Sequence, residues 1–118
     1  MNQIWVTFRR AGVHKYPAAG VDPQLADSSY LQFEHRHLFY VKINLEVFQD
    51  DRCVEYHMLL RWAESLYDGG MLNFDNQSCE MIARALGEKV RAEYPGRWCA
   101  VEVSEDGECG SIIEFPVD

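Results

Sequence analysis

From Leu38 onward the chain alternates, with Phe39, Val41, Ile43, Leu45 and Val47 on one side and Tyr40, Lys42, Asn44 and Glu46 on the other. A period of two sustained over this length predicts a long, half-buried strand across residues 37–48. Residues 3–8 (QIWVTF) are aromatic and β-branched and predict an earlier strand. Between the two, Gly12, Pro17, Gly20 and Pro23 break any period, so residues 12–29 read as a long loop, a feature that in small domains usually carries function. The polar turn Gln49-Asp50-Asp51-Arg52 followed by CVEY predicts a second strand and a hairpin over residues 37–56. The period then becomes helical. Met58, Leu59, Trp62 and Leu66 mark a helix over residues 57–67 that Asp68-Gly69-Gly70 stops, and Met81, Ile82, Ala85, Leu86 and Val90 mark a second, starting near Asn76 or Ser78 and ending at Tyr94-Pro95-Gly96. Alternation returns in residues 99–104 and 111–115, separated by a Gly-rich turn.

Two helices placed between two hairpins define an α+β class: an antiparallel sheet carrying both helices on one face, in a single domain spanning residues 1–118. A chain of 118 residues, 47% of them apolar, is long enough to bury one core. Aromatic residues assigned to the second face (Tyr30, Phe33, Phe39, Phe48 and Tyr56) predict that other copies of the chain cover it, in a homo-oligomer. No run approaches the roughly 18 apolar residues of a membrane helix, and the first residues enter an alternating pattern instead of a signal-peptide core, so the expectation is a cytoplasmic protein with no membrane partner.

Charge narrows the partners. The net charge of −8 argues against duplex nucleic acid, whose binding depends on neutralising phosphates. The division is uneven: residues 1–48 hold five cations and four acids, residues 49–118 six cations and fifteen acids. The first half can therefore still build a local anion pocket from Arg9, Arg10, Lys15 and Arg36. Cys53, Cys79, Cys99 and Cys109 lie 26, 20 and 10 residues apart, without the paired spacing of a zinc knuckle, and read as reduced thiols.

The chemistry-bearing group is His35-Arg36-His37, with His14 upstream. Histidines at i and i+2 on a strand share a face, and a third from a neighbouring strand completes a three-histidine set, the donor set of zinc sites that keep one coordination position open. An isolated HxH is also common without metal, so spacing alone leaves both readings standing.

The order of Val13-His14, then His35-Arg36-His37-Leu38-Phe39 opening a long strand, resembles the zinc-ligand pattern of the 6-pyruvoyl- and 6-carboxytetrahydropterin synthases, the tunnelling or T-fold family. Asp68-Gly69-Gly70-Met71-Leu72-Asn73 is similar to the Asp-His-x-x-Leu-Asn turn of that family. Ser78-Cys79-Glu80-Met81-Ile82-Ala83 is similar to its helix start, and Val101-Glu102-Val103-Ser104-Glu105 to its strand ending in the glutamate that anchors the pterin ring. The resemblance implies a T-fold built into a homo-hexamer, zinc on His14, His35 and His37, and ring recognition by Glu105, with Asp68 beside the site.

The departures are equally specific. Residues 28–34 lack the cysteine that the family places shortly before its HxH, and Gly69 stands where the family has the histidine that polarises that cysteine. Without these groups the family's proton relay is incomplete. The runs HKYPAA, HRHLF and VSEDGECG also resemble small phage proteins of the Thoeris anti-defence sponge type. Together the resemblances imply a non-catalytic protein without cofactor, in the cytoplasm of a phage host, that sequesters a phosphorylated purine-derived signal such as cyclic ADP-ribose or a cyclic oligonucleotide. Glu105, Arg9, Arg10, Arg36, Lys15 and Asp68 are then its ligand-binding residues. The alternative is a zinc-dependent tetrahydropterin synthase-like enzyme acting on dihydroneopterin triphosphate.

Overall fold

A computed structural model describes residues 1–117. β1 (Asn2–His14) and β2 (His35–Val47) are thirteen residues each and pair antiparallel along their whole length, from Asn2 opposite Val47 to His14 opposite His35. Helix α1 (Tyr56–Ser65) follows, then the two-residue β3 (Leu72–Asn73), helix α2 (Cys79–Glu93), β4 (Cys99–Glu105) and β5 (Cys109–Phe115). The sheet order is β3-β1-β2-β4-β5. Because β3 runs parallel to β1 at Gly12 and Val13, the sheet is mixed, and the fully antiparallel expectation is corrected at this edge.

The alternation of β2 does what its period requires. Phe39, Val41, Ile43, Leu45 and Val47 are buried while Tyr40 is exposed, and register carries the same face to Val6 and Phe8 on β1 and to Cys99, Val101 and Val103 on β4. Leu59 and Ala63 of α1, and Ile82, Ala83, Leu86 and Val90 of α2, join these residues, Val47 and the exposed Tyr40 excepted, in one buried cluster with Phe115. Burying a leucine or phenylalanine side chain is worth about 1.5–3 kcal/mol, so this cluster is the main force that fixes strand register. At Gly87 an added Cβ would lie 2.0 Å from the Phe115 ring, so the absence of a side chain there lets α2 close onto β5.

Several elements differ from the sequence expectation. The first strand continues past residue 8 to His14, because pairing with β2 holds Arg9–Val13 in extended form despite the glycine. The segment after it is ordered by 3-10 turns at Pro17–Gly20 and Pro23–Gln32, the second capped by Asp22, whose side chain accepts from the Gln24 N–H. CVEY is not a strand: the Glu55 carboxylate accepts the Met58 N–H and starts α1 at Tyr56, so no hairpin forms over residues 37–56. Phe39 faces the core instead of the second face, Tyr30 lies on a 3-10 turn and Phe33 directly after it, and Tyr56 belongs to α1. Met58 and Met81, assigned to apolar helical stripes, are exposed. Among the described residues no helix is long and apolar enough to cross a membrane.

Candidate metal centre and cleft

The pairing of β1 with β2 sets His14 opposite His35 at the very end of the ladder and Gly12 opposite His37, two residues in. Alternation then turns all three rings to the face that, further along the same strands, holds the core. The ring centroids of His14 and His35 are 4.6 Å apart, those of His35 and His37 4.9 Å, and those of His14 and His37 5.3 Å. Phe39 forms the floor, its ring edge-on to His14 at 5.2 Å and to His37 at 5.8 Å. The last turn of the pattern is therefore a continuation of the core in which apolar side chains give way to imidazoles.

Each ring is held from outside. His14 Nδ1 lies 2.8 Å from the Gln77 carbonyl and His35 Nδ1 2.8 Å from the Phe33 carbonyl. Carbonyl oxygens can only accept, so these Nδ1 atoms carry the protons. His37 Nδ1 donates to Asp106 Oδ2 at 2.7 Å. In neutral rings Nε2 is thereby left as the free ligand atom, buried in His14 and His37, and one ligand atom from each histidine lies within 4.8 Å of the others. Asp106 is itself fixed: Oδ1 accepts the Leu38 N–H at 2.9 Å, and the residue sits at φ 58° beside Gly107 at φ 71°, an Asp-Gly turn that joins β4 to β5. The Leu38 N–H and then His37 hold the Asp106 carboxyl below the usual carboxylate range.

Glu105, the last residue of β4, pairs with Phe39 and so reaches the histidine face. Its Oε1 lies 3.1 Å from His14 Nε2 and its Oε2 3.3 Å from His37 Nε2. Despite these distances, both Nε2 atoms are buried without a hydrogen-bond partner. With the ring protons on Nδ1, a neutral imidazole turns an Nε2 lone pair to the carboxylate, an arrangement that a second ring proton or a metal cation satisfies. The donor set fits a divalent metal that accepts imidazole and oxygen ligands, zinc among them.

Beside the histidines opens a cleft of about 260 Å³ lined by His14, Lys15, His35, Cys79, Glu80 and Glu105, among others. Cys79 is the first residue of α2, behind the cap formed by Ser78, whose Oγ accepts the Met81 N–H. Its thiol lies 3.9 Å from Glu105 Oε1, and burial together with the negative charges of Glu105 and Glu80 pushes it up to about 12. Across the cleft Ser111 Oγ donates to Glu80 Oε1 at 2.6 Å, and this bond lowers the Glu80 carboxyl.

Of the residues expected at the site, the structure brings together His14, His35, His37, Glu105 and Lys15. Arg9 and Arg36 are exposed and alternate with the histidine-face residues, which turns them to the opposite side of the sheet. Arg10 shares the histidine side but is engaged, its Nη2 3.2 Å from Glu64 Oε2, its Nε donating to the Tyr67 carbonyl and its guanidinium over the Phe8 ring. Asp68 is exposed after α1 and does not line the cleft. Gly69 follows at φ 111°, a conformation that side chains rarely adopt, so this backbone excludes a histidine there.

Cys79 and Asp106 were missed as site residues. Asp106 had a signal in its Asp-Gly dipeptide, which marks a tight turn next to Glu105. Cys79 had none, because its place depends on how α2 docks. No family model and no curated protein matches this chain.

Proposed function

We propose that the chain is a T-fold-like domain, with α1 and α2 on one face of its sheet, that holds zinc on His14, His35 and His37. It receives a small purine- or pterin-derived molecule in the adjoining cleft, within a homo-oligomer. One observation carries this reading: three Nδ1 atoms are bonded to Gln77, Phe33 and Asp106, which leaves Nε2 of each ring as the free ligand atom, and one ligand atom from each histidine lies within 4.8 Å of the others. Such outer bonds fix tautomer and ring orientation in metal sites. When bound, zinc supplies a Lewis acid toward a carbonyl or hydroxyl oxygen of the ligand. The chain's own groups supply the rest. Lys15 offers a charge at the rim for a phosphate, and Glu80, oriented by Ser111, offers an acceptor for ring N–H groups.

Binding without turnover is the preferred form of this reading. Burial and the charges of Glu105 and Glu80 push the Cys79 thiol up to about 12 without metal, which disfavours a thiolate base, and Gly69 supplies no imidazole to activate it. A sequestering protein for a phosphorylated purine signal, of the sponge type, needs neither group. The enzyme reading, a zinc-dependent tetrahydropterin synthase-like activity, is favoured by one specific observation: Cys79 brings a thiol to the cleft from α2, although none precedes the HxH motif.

Incubation of zinc-loaded protein with cyclic ADP-ribose isomers, cyclic oligonucleotides and dihydroneopterin triphosphate, followed by heat release and mass analysis, tests both forms. Recovery of an intact nucleotide depleted from solution supports sequestration. Conversion of the pterin triphosphate, lost in Cys79→Ala, supports the enzyme. A protein that takes up no zinc and depletes no compound overturns the proposal.

A further inference from the structure

We infer that Glu105 is a fourth, displaceable arm of the metal site, closing it in the resting protein instead of standing free to anchor a ring. The inference rests on the three-histidine reading above and concerns what that site does with its fourth position. In a tetrahedral zinc site with bonds of about 2.0–2.1 Å, neighbouring ligand atoms lie about 3.3 Å apart. The carboxylate of Glu105 stands at that spacing from two of the three imidazoles, 3.1 Å from His14 Nε2 and 3.3 Å from His37 Nε2. With a proton on each Nδ1, a neutral ring has no hydrogen on Nε2 to donate, and both Nε2 atoms are buried without a hydrogen-bond partner. Lone pairs at this distance repel unless a proton or a metal cation lies between them; a proton serves one contact, whereas one metal ion satisfies both at once.

The backbone around Glu105 is built to hold this pose. The residue pairs with Phe39, the floor of the site, and the next residue, Asp106, ties back to Leu38 and His37. The same short segment thus supplies the inner carboxylate and the outer support of His37. On the other side, Oε1 faces the Cys79 thiol at 3.9 Å, at the wall of the cleft, and the Glu105 side chain keeps 26% of its surface exposed. Glu105 lines the cleft beside His14 and His35, so an oxygen or nitrogen donor on a ligand there gains the metal by displacing the carboxylate toward solvent.

The test uses zinc, cobalt(II) and azide as probes on the full chain. Zinc affinity by chelator competition and the visible spectrum of the cobalt(II) form are recorded for the native protein, Glu105→Gln, Glu105→Asp and His35→Ala, each checked for folding by circular dichroism. The expected result is loss of metal binding in His35→Ala and at least about tenfold weaker zinc in Glu105→Gln. A cobalt spectrum that azide alters in Glu105→Gln but not in the native protein or Glu105→Asp completes the pattern. Native and Glu105→Gln proteins with the same affinity and the same azide response would overturn the role of Glu105 while leaving the three-histidine site standing. Failure of the native protein to bind either metal would overturn both.

Discussion

The ends of β1 and β2 carry two faces with opposite fates. On one, His14, His35 and His37 converge over Phe39 and are held by Gln77, Phe33 and Asp106. On the other, Arg9 and Arg36 stand exposed on the same strands, at alternating positions. Chemistry that looks contiguous in sequence, His-Arg-His, is divided by the pleat into a buried half and a solvated half. The lesson is that a charge beside a ligand in a strand is, by geometry, the charge least able to join it. A phosphate held in the cleft beside the histidines lies next to Lys15, with Arg36 of the same chain on the opposite face of the sheet.

The strongest way to break this contrast is to loosen the ordered face from behind. Asp106→Ala removes the acceptor of both the His37 Nδ1–H and the Leu38 N–H. His37 is then free to rotate or change tautomer, and the expected result is a loss of about 10–100-fold in zinc affinity by chelator competition. Unchanged affinity would mean that the outer bonds do not organise the site. Asp106→Asn sharpens the outcome, since its amide oxygen still accepts from His37 or Leu38 and affinity should fall less.

A second, smaller effect comes from the floor. Gly12 lies between the strand pair and Phe74, and an added Cβ would stand 2.9 Å from Phe74 Cε2 and 3.2 Å from Phe39 Cδ2. Phe74 is wedged against Phe39 at 4.9 Å and near Tyr67 at 6.4 Å, so it has little room to yield. Gly12→Ala should cost about 1–3 kcal/mol in denaturant unfolding. It should weaken zinc binding as well, because Phe39 supports His14 and His37. Unfolding at the native midpoint would show that the β3 edge is loose and that Phe74 moves freely.

How far the sequence could be read follows from the same contrast. The core face of β2, both helices and the shared face of His35 and His37 were legible because each depends on a period. His14 was placed beside them only by the family resemblance, since residues 12–29 read as a loop and the strand that carries it to His35 was expected to end at residue 8. CVEY misled because its β-branched and aromatic residues favour a strand, while the Glu55 cap and the apolar positions of α1 outweigh that local preference. The partners of the histidines were not legible at all. Two of the three are backbone carbonyls, at Gln77 and Phe33, and any residue type supplies a carbonyl. The roles given to Arg9, Arg10 and Arg36 came from their nearness in sequence to the histidines, a measure that takes no account of the pleat or of Glu64.

The smallest expected effects belong to the arginines, and they are the sharpest test of the division between faces. Arg36→Glu reverses a charge on an exposed strand position and should change stability by less than about 0.5 kcal/mol. Arg10→Ala removes packing over Phe8 within β1, together with a partly exposed pair with Glu64 and a bond to the Tyr67 carbonyl that tie β1 to α1 and the turn after it. The pair is screened by solvent and the guanidinium covers apolar surface, so a loss of about 1 kcal/mol is expected. Neither change should move zinc affinity more than about twofold, since Arg36 stands exposed on the opposite face, Arg10 is engaged with Glu64, and solvent and salt screen both charges. Paired measurements of zinc and ligand affinity make the outcome decisive. If Arg36→Glu leaves zinc untouched but weakens a phosphorylated ligand tenfold, that ligand is held by the solvated face, and the cleft beside the histidines is not where its phosphate binds.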